Sequence, residues 1–214
     1  MPSKTHAVLL ADVLGSRARK DIRSLLGKRL AAASQRHLRQ GLIKLPYSIT
    51  AGDEFQTIAA APSSIPAIIL DLRRALRPLA LRIGIGFGRI TDRIQPPVNR
   101  LGGEAFQSAR KSIDSIKAQG LFKFEVLTAF ESADGQFNET INLIYGLHDT
   151  LVLKITEKQW ETIEQFLDRP TLERTARRLR LDISTVSRNL KRGYYWQLSE
   201  TVKVAESLIK SVFR

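Results

Sequence analysis

Ala51-Gly52-Asp53-Glu54-Phe55 lies between two short segments that both suit β-strands. Tyr47 to Thr50 and Phe55 to Ala60 carry β-branched and aromatic residues, which favour extended backbone. Gly52 supplies the positive φ that a tight chain reversal needs. The pattern therefore predicts a β-hairpin that presents the carboxylate of Asp53 at its tip.

A second acidic residue, Asp12, ends the first apolar segment of the chain, Ala7 to Ala11. That segment is short and continuous, which is typical of a buried strand. If this strand and the hairpin belong to one sheet, Asp12 and Asp53 lie near each other and would hold a hard divalent cation, Mg²⁺ or Mn²⁺. A plainer alternative remains open, in which Asp53 forms the turn and Asp12 caps the helix that follows.

The order of predicted elements up to residue 90 is β, α, β, β, α, β. Helices are predicted from Arg17 to Gln40 and from Pro62 to about Arg77, and the fourth strand is predicted from Leu81 to Ile90. This order is typical of a ferredoxin-like α+β domain, an antiparallel sheet of four strands with both helices on one face. A further strand, Leu121 to Thr128, and a helix, Asn138 to Leu153, follow.

Glycines stand at every second position of the strand from Leu81 to Ile90, at Gly84, Gly86 and Gly88. They leave one face of the strand without side chains, so either a ligand or another backbone can come close to it.

A second glycine pair, Gly102 and Gly103, precedes a predicted helix and follows a loop that carries Arg93. Free backbone N–H groups at such a helix start suit a phosphate. Simple helix capping by glycine is the alternative.

The last third of the chain is predicted to be helical. Thr156 and Gln159 form a capping-box pattern at the start of one helix. Two short helices then flank the turn 180–182, one from Leu172 to Leu179 and one that begins at Ile183. This spacing predicts a helix-turn-helix, and the segment from Thr171 to Tyr195 holds seven Lys or Arg residues against two acids. The residues predicted to contact DNA are Ser184, Thr185, Ser187, Arg188, Lys191 and Arg192. A helical interaction module with a basic face is the alternative.

Composition limits the class of protein and its partners. The 214 residues are 43% hydrophobic and 26% charged, which predicts a folded chain, and we expect two domains, residues 1–150 and 151–214. The net charge of +13 favours a polyanionic partner such as DNA or nucleotide phosphates. Cysteine is absent, which excludes disulfides and thiolate metal sites. No apolar run approaches the ~20 residues that span a bilayer, so we expect no membrane partner and a cytoplasmic location.

Four segments in order resemble the SatD family over roughly residues 5 to 200: Leu10 to Ser16, Thr50 to Gln56, Leu81 to Gly88 and Gly103 to Arg110. They are more distantly similar to the catalytic palm domain of class III nucleotidyl cyclases.

The similarity to the cyclases implies that Asp12 and Asp53 bind metal ions and that Arg110 binds phosphate. Glu54 and Arg93 are then candidates to assist at the metal and the phosphates. Phe106 and Ile49 stand where the cyclases have a ribose-orienting Asn and a base-selecting Lys. The resemblance therefore implies metal and nucleotide binding rather than cyclase activity.

Taken together, these patterns predict a DNA-binding regulator whose first domain senses a nucleotide or a metal or serves as a dimerisation platform. An Mg²⁺-dependent enzyme of phosphoryl or nucleotidyl transfer is the alternative. A purely structural oligomer is the third reading, and a homodimer remains open in all three.

Overall fold

The computed structural model describes residues 4–16, 22–50 and 52–213. Predictions at Ala51 and at the start of the first helix, residues 17–21, lie outside the described residues. The strands are β1 His6–Val13, β2 Ser48–Ile49, β3 Phe55–Ile58, β4 Leu81–Gly88 and β5 Thr128–Glu131. The helices are α1 Ile22–Arg39, α2 Ile65–Ala75, α3 Glu104–Lys117, α4 Gly135–Val152, α5 Glu157–Asp168, α6 Leu172–Leu179, α7 Ile183–Arg192 and α8 Tyr195–Val212.

The five strands form one sheet in the order β2-β3-β1-β4-β5. The first four strands pair antiparallel, with β1 and β3 inside, so the predicted ferredoxin-like α+β arrangement is confirmed. The fifth strand pairs parallel with β4, which makes the whole sheet mixed rather than antiparallel. The reason is the connection: α3 crosses from the end of β4 back over the sheet, and such a crossover returns the chain in the same direction.

The two faces of the sheet are covered by different helices. Ala7, Leu9 and Ala11 of β1 belong to a core with buried residues of α1, α2, α4 and α8, whereas Val8 and Leu10 pack with α3. This alternation follows from the two-residue period of a strand. The basic helix α1 thus covers the sheet through Leu26, Leu30 and other apolar residues.

The glycines of β4 allow a helix to lie directly on the strand. A Cβ added at Gly84 would lie 2.6 Å from the carbonyl oxygen of Ala109, and one at Gly86 would lie 2.1 Å from that of Ala105. The bare face of the strand therefore accommodates the backbone of α3 rather than a ligand.

The last strand begins later than predicted. Residues 121–127 form a loop, and the parallel pairing with β4 starts at Thr128. The amide N–H of Leu127 instead donates to the carboxylate of Asp149 at 2.8 Å, so a side chain takes the donor that a longer strand would use.

The C-terminal helices pack around a second apolar cluster, which contains Trp160, Ile163, Phe166, Val186, Leu190 and Leu198. The predicted capping box at Thr156 and Gln159 is present at the start of α5. Helix α8, for which the sequence pattern gave no bounds, returns to the sheet domain and places Ala205 and Ile209 in its core. The domain boundary at residue 150 stays a prediction, since α8 contacts both clusters. In the described part of the chain, no helix is long and apolar enough to cross a membrane.

Candidate functional site

The hairpin tip and the end of β1 meet at one end of the sheet. The carboxylate of Asp53 accepts a hydrogen bond from the backbone N–H of Val13 at 3.0 Å. Val13 directly follows Asp12, so both acidic side chains belong to the same end of the sheet. The contact exists because β1 pairs with β3 in a register that sets Ala11 opposite Phe55, at the base of the hairpin.

Asp12 is a buried acid whose two oxygens differ in their contacts. Its side chain is 10% exposed, and its Oδ2 atom lies 2.9 Å from Nζ of Lys117 and 3.7 Å from Nη1 of Arg82. The other oxygen, Oδ1, is buried and has no hydrogen-bond partner within residues 4–16, 22–50 and 52–213. A buried carboxylate oxygen is normally satisfied, so this atom is suited to accept a cation. Asp12 and Asp53 as metal ligands remain a prediction.

Glu54 and Arg110 form a bidentate ion pair. Two guanidinium nitrogens of Arg110 donate to the two carboxylate oxygens of Glu54, each at 2.7 Å, and Thr50 donates to the same carboxylate at 2.9 Å. The hydrogen bonds from Arg110 lower the pKa of Glu54 despite its partial burial, and the Glu54 carboxylate raises the pKa of Arg110 in return. Both groups are therefore charged at neutral pH, and Arg110 is held on the hairpin while half of its side chain stays exposed.

The glycine-rich start of α3 already has partners for some of its donors. The N–H of Gly102 donates to the carboxylate of Asp92 at 2.7 Å, and the N–H of Ala105 donates to the carbonyl of Arg89 at 3.2 Å. Gly103 precedes the helix with φ 123, a value that favours glycine. The predicted phosphate contacts at Gly102 and Gly103 stay a prediction. Arg93 lies exposed in the loop before this helix, with no ion pair in the described part of the chain.

Two of the grooves that border α3 lie near the candidate residues. One, of about 710 Å³, is lined by Arg110, Lys111, Asp114 and Phe106 among others. The second, of about 550 Å³, lies beside Asp12 and is lined by Arg82, Lys117, Lys123, Phe122 and Phe124 among others.

Lys117 and Arg82 were not singled out from the sequence. Lys117 stands seven residues after Arg110, two turns along the same face of α3, so helical periodicity contained a signal for it. Arg82 contained no local signal, because its position opposite Asp12 depends on the pairing of β1 with β4.

Helices α6 and α7 are joined by the turn 180–182, in which Arg180 adopts the left-handed conformation with φ 54. Val186 and Leu190 of α7 are buried, and the opposite side of the helix faces solvent. Of the residues predicted to contact DNA, Thr185 is half-buried and the other five are exposed: Ser184, Ser187, Arg188, Lys191 and Arg192. Their contact with DNA stays a prediction.

In the described ranges, no group of three or more His, Asp or Glu side chains is arranged to hold a metal ion.

Three solved structures resemble the chain distantly. The structure of a bacterial light-regulated adenylyl cyclase is 16% identical with a TM-score of 0.41, and the match covers 59% of this chain and 43% of that one. Adenylate cyclases from Trypanosoma brucei in their monomeric state are 15% identical with a TM-score of 0.36, covering 51% of this chain and 67% of that one. A regulator of polyketide synthase expression from Bifidobacterium adolescentis is 15% identical with a TM-score of 0.31, and the match covers 99% of this chain and 83% of that one.

At these scores no functional conclusion follows from the likeness, and this chain spans less than half the length of the first of the three. No curated protein gives a significant sequence match. The model of the SatD family matches residues 7–208, nearly the whole chain, and the chain therefore belongs to the SatD family.

Proposed function

We propose that this chain is a DNA-binding regulator whose sheet domain binds a nucleotide together with Mg²⁺ or Mn²⁺. The observation that carries the DNA-binding part is the solvent-facing side of α7, which combines hydroxyl and cationic side chains and follows a short helix after a three-residue turn. In a helix-turn-helix, the second helix enters the major groove and its exposed residues contact base edges and phosphates.

The charges of this surface support the same reading. In the described part of the chain, Arg188, Lys191 and Arg192 form no ion pair, and the one side-chain hydrogen bond of Arg188 goes to Thr185 at 3.2 Å. Cations that are not neutralised by neighbouring acids are free to pair with phosphates. Exposed arginines of α6, such as Arg174 and Arg177, extend the positive surface.

Replacing Arg188 and Lys191 with Ala tests this proposal. We expect weaker binding to duplex DNA and a flatter dependence on salt, because each lost phosphate contact lowers the slope of log K against log salt by about 0.9. Fluorescence anisotropy with a labelled duplex at several salt concentrations measures both quantities.

The matched control removes two exposed cations of α1, with Arg23→Ala and Lys28→Ala. It changes the net charge by the same amount and leaves α7 intact. Equal losses in the two double variants would mean that general charge, and not α7, determines binding. Unchanged affinity and slope in the α7 variant would refute the DNA-binding surface.

The nucleotide part of the proposal rests on Asp12 and Asp53. Mg²⁺ is usually held by one or two protein carboxylates together with phosphate oxygens and water. Two acids at one end of the sheet fit that ligand set, and one of them has a buried oxygen without a hydrogen-bond partner in the described part of the chain. Asp12 and Asp53 would hold the metal, whose positive charge would offset that of the phosphates, while Glu54 keeps Arg110 near the hairpin.

A metal that binds only the folded chain raises its free energy of unfolding, by about 2.7 kcal/mol at a hundredfold excess over Kd. The melting temperature rises with it. We expect this response in the wild type with Mg²⁺ or Mn²⁺, and we expect Asp53→Asn to abolish it. The substitution keeps the fold, because an amide oxygen can accept the same hydrogen bond from Val13.

Asp182→Asn serves as the control, since Asp182 precedes α7 and its side chain makes no capping hydrogen bond. Identical melting of the wild type and the Asp53 variant at every metal concentration, with and without a nucleoside triphosphate, would refute the metal site.

The second candidate function, an Mg²⁺-dependent phosphoryl- or nucleotidyl-transfer enzyme, is favoured by the same pair of acids. Such an enzyme aligns metal-bound phosphates for attack. Incubation with labelled nucleoside triphosphates and Mg²⁺ or Mn²⁺ distinguishes the two functions, because a sensor returns the nucleotide unchanged and an enzyme releases a product that Asp53→Asn fails to form.

A further inference from the structure

We infer that the groove beside Asp12, lined by Phe122, Phe124, Arg82, Lys117 and Lys123, is the site at which this chain binds the base and phosphates of a nucleoside phosphate. The inference rests on the proposed nucleotide function and goes beyond it, because it assigns the base to residues that the sequence patterns did not single out.

The aromatic part of the groove is a ready stacking surface. The rings of Phe122 and Phe124 are stacked, with centroids 5.0 Å apart and planes inclined by 7°. They pack against Gly146 of α4, where an added Cβ would lie 3.1 Å from the Phe124 ring. The helix therefore holds the two rings in place. Phe124 is nevertheless 40% exposed. An exposed and supported aromatic ring that lines a groove suits a nucleobase, because every base has a face that can stack.

The cationic part of the groove leads to the proposed metal site. Lys117 and Arg82 line the groove and both contact Oδ2 of Asp12. Lys123 also lines it and has no ion pair in the described part of the chain. Phosphates that lie along these three side chains would therefore approach Oδ1 of Asp12, which has no hydrogen-bond partner among the described residues and would help to hold a divalent cation.

The groove on the other side of α3 is less suited to an anion. Its two cations are already neutralised, Arg110 by the bidentate pair with Glu54 and Lys111 by an ion pair with Glu131. Asp114 adds a further negative charge to that groove. The groove beside Asp12 also has an acid in its lining, Glu125, but Lys117 and Arg82 share one carboxylate there and Lys123 adds a third cation.

This arrangement predicts that metal and nucleotide bind cooperatively. The cation of Lys117 at 2.9 Å from Asp12 repels an incoming Mg²⁺ or Mn²⁺. A phosphate that draws Lys117 toward itself removes part of that repulsion, so nucleotide should strengthen metal binding and metal should strengthen nucleotide binding by the same factor.

The test uses the full chain with N-methylanthraniloyl derivatives of ATP and GTP in the presence of MgCl₂, with binding followed by fluorescence anisotropy. Phe124→Leu keeps an apolar side chain and loses the ring. We expect its nucleotide affinity to fall about tenfold, as for the loss of one stacked base, whereas Phe124→Trp retains binding. Lys123→Met should weaken both the nucleotides and inorganic tripolyphosphate, which competes for the cations but has no base.

Two comparisons make the test specific. Tripolyphosphate should bind Phe124→Leu as it binds the wild type, and Leu147→Ala, an exposed apolar position on α4, should leave nucleotide binding unchanged. Circular dichroism confirms that each variant is folded.

The outcomes separate this inference from the proposed function. Nucleotide binding that is lost in Asp53→Asn but unchanged in both Phe124→Leu and Lys123→Met would overturn the groove assignment and leave the proposed function standing. Failure of the wild type to bind either nucleotide would overturn the groove assignment and the nucleotide part of the proposed function, and would leave the DNA-binding part standing.

Discussion

Replacing Gly86 with Ala should displace α3 from its close packing on the sheet. An added Cβ would lie 2.1 Å from the carbonyl oxygen of Ala105 and 2.2 Å from the amide nitrogen of Ala109. Real Cβ atoms essentially never come within 3.0 Å of such atoms. Both neighbours are backbone atoms, so no flexible side chain can move away, and the helix as a whole must shift by about 1 Å.

The cost of that shift follows from what the contact buries. Ala105, Ala109 and Ile113 of α3 are fully buried against the sheet, and a displaced helix loses part of this packing. Overpacking of a core typically costs about 1–3 kcal/mol and occasionally more. Since Gly86 lies in the middle of β4, between β1 and β5, we expect a loss near the top of that range, about 3 kcal/mol.

Urea denaturation followed by circular dichroism measures the change in the free energy of unfolding. The control is Gly27→Ala in α1, where the added Cβ meets no other described atom within 4 Å apart from its chain neighbours and the backbone of its own helix. Ala has the higher helix propensity, so this variant should be more stable than the wild type by up to about 1 kcal/mol. If Gly86→Ala were as stable as the wild type, the close approach of α3 to β4 would be wrong, and with it the placement of Arg110 and Lys117.

Two further predictions concern buried charges. Burial disfavours the ionised form of Asp71, but hydrogen bonds from His37, Arg36 and Arg74 outweigh it and hold the pKa of that carboxyl well below its usual range. Asp71→Asn should therefore lower the free energy of unfolding by about 1.5–3 kcal/mol at pH 7. In urea titrations this loss should shrink as the pH falls below about 4, because the unfolded chain then binds a proton that the folded chain resists. A loss that does not change with pH would contradict this prediction. Asp149 is fully buried and accepts a hydrogen bond from Nη2 of Arg73 at 2.8 Å. Asp149→Leu should therefore lower the free energy of unfolding by about 3–5 kcal/mol in thermal melts, and adding Arg73→Met should recover part of that loss. Additive losses in the double variant would show that the pair is not coupled.

Much of the framework could be predicted from local patterns. Apolar runs of strand length, the glycine at the hairpin, and the amphipathic helices with their caps each depend on a few neighbouring residues. The order of the first six elements then restricts the topology to few choices, so the central position of β1 followed from the chain itself. The start of α6 at Leu172 and the start of α7 at Ile183 were likewise predictable, because Thr171 and the turn 180–182 are local signals.

The tertiary structure alone decided which partner each surface meets. The glycines of β4 allowed a ligand or a backbone equally well, and the packing of α3 selected the backbone. The ion pairs of Asp12 with Arg82 and Lys117 join residues 70 or more positions apart, and α8 returns to a core that begins at residue 7. Such contacts depend on how the whole core closes, because burial is shared among distant elements and no short window of residues specifies it.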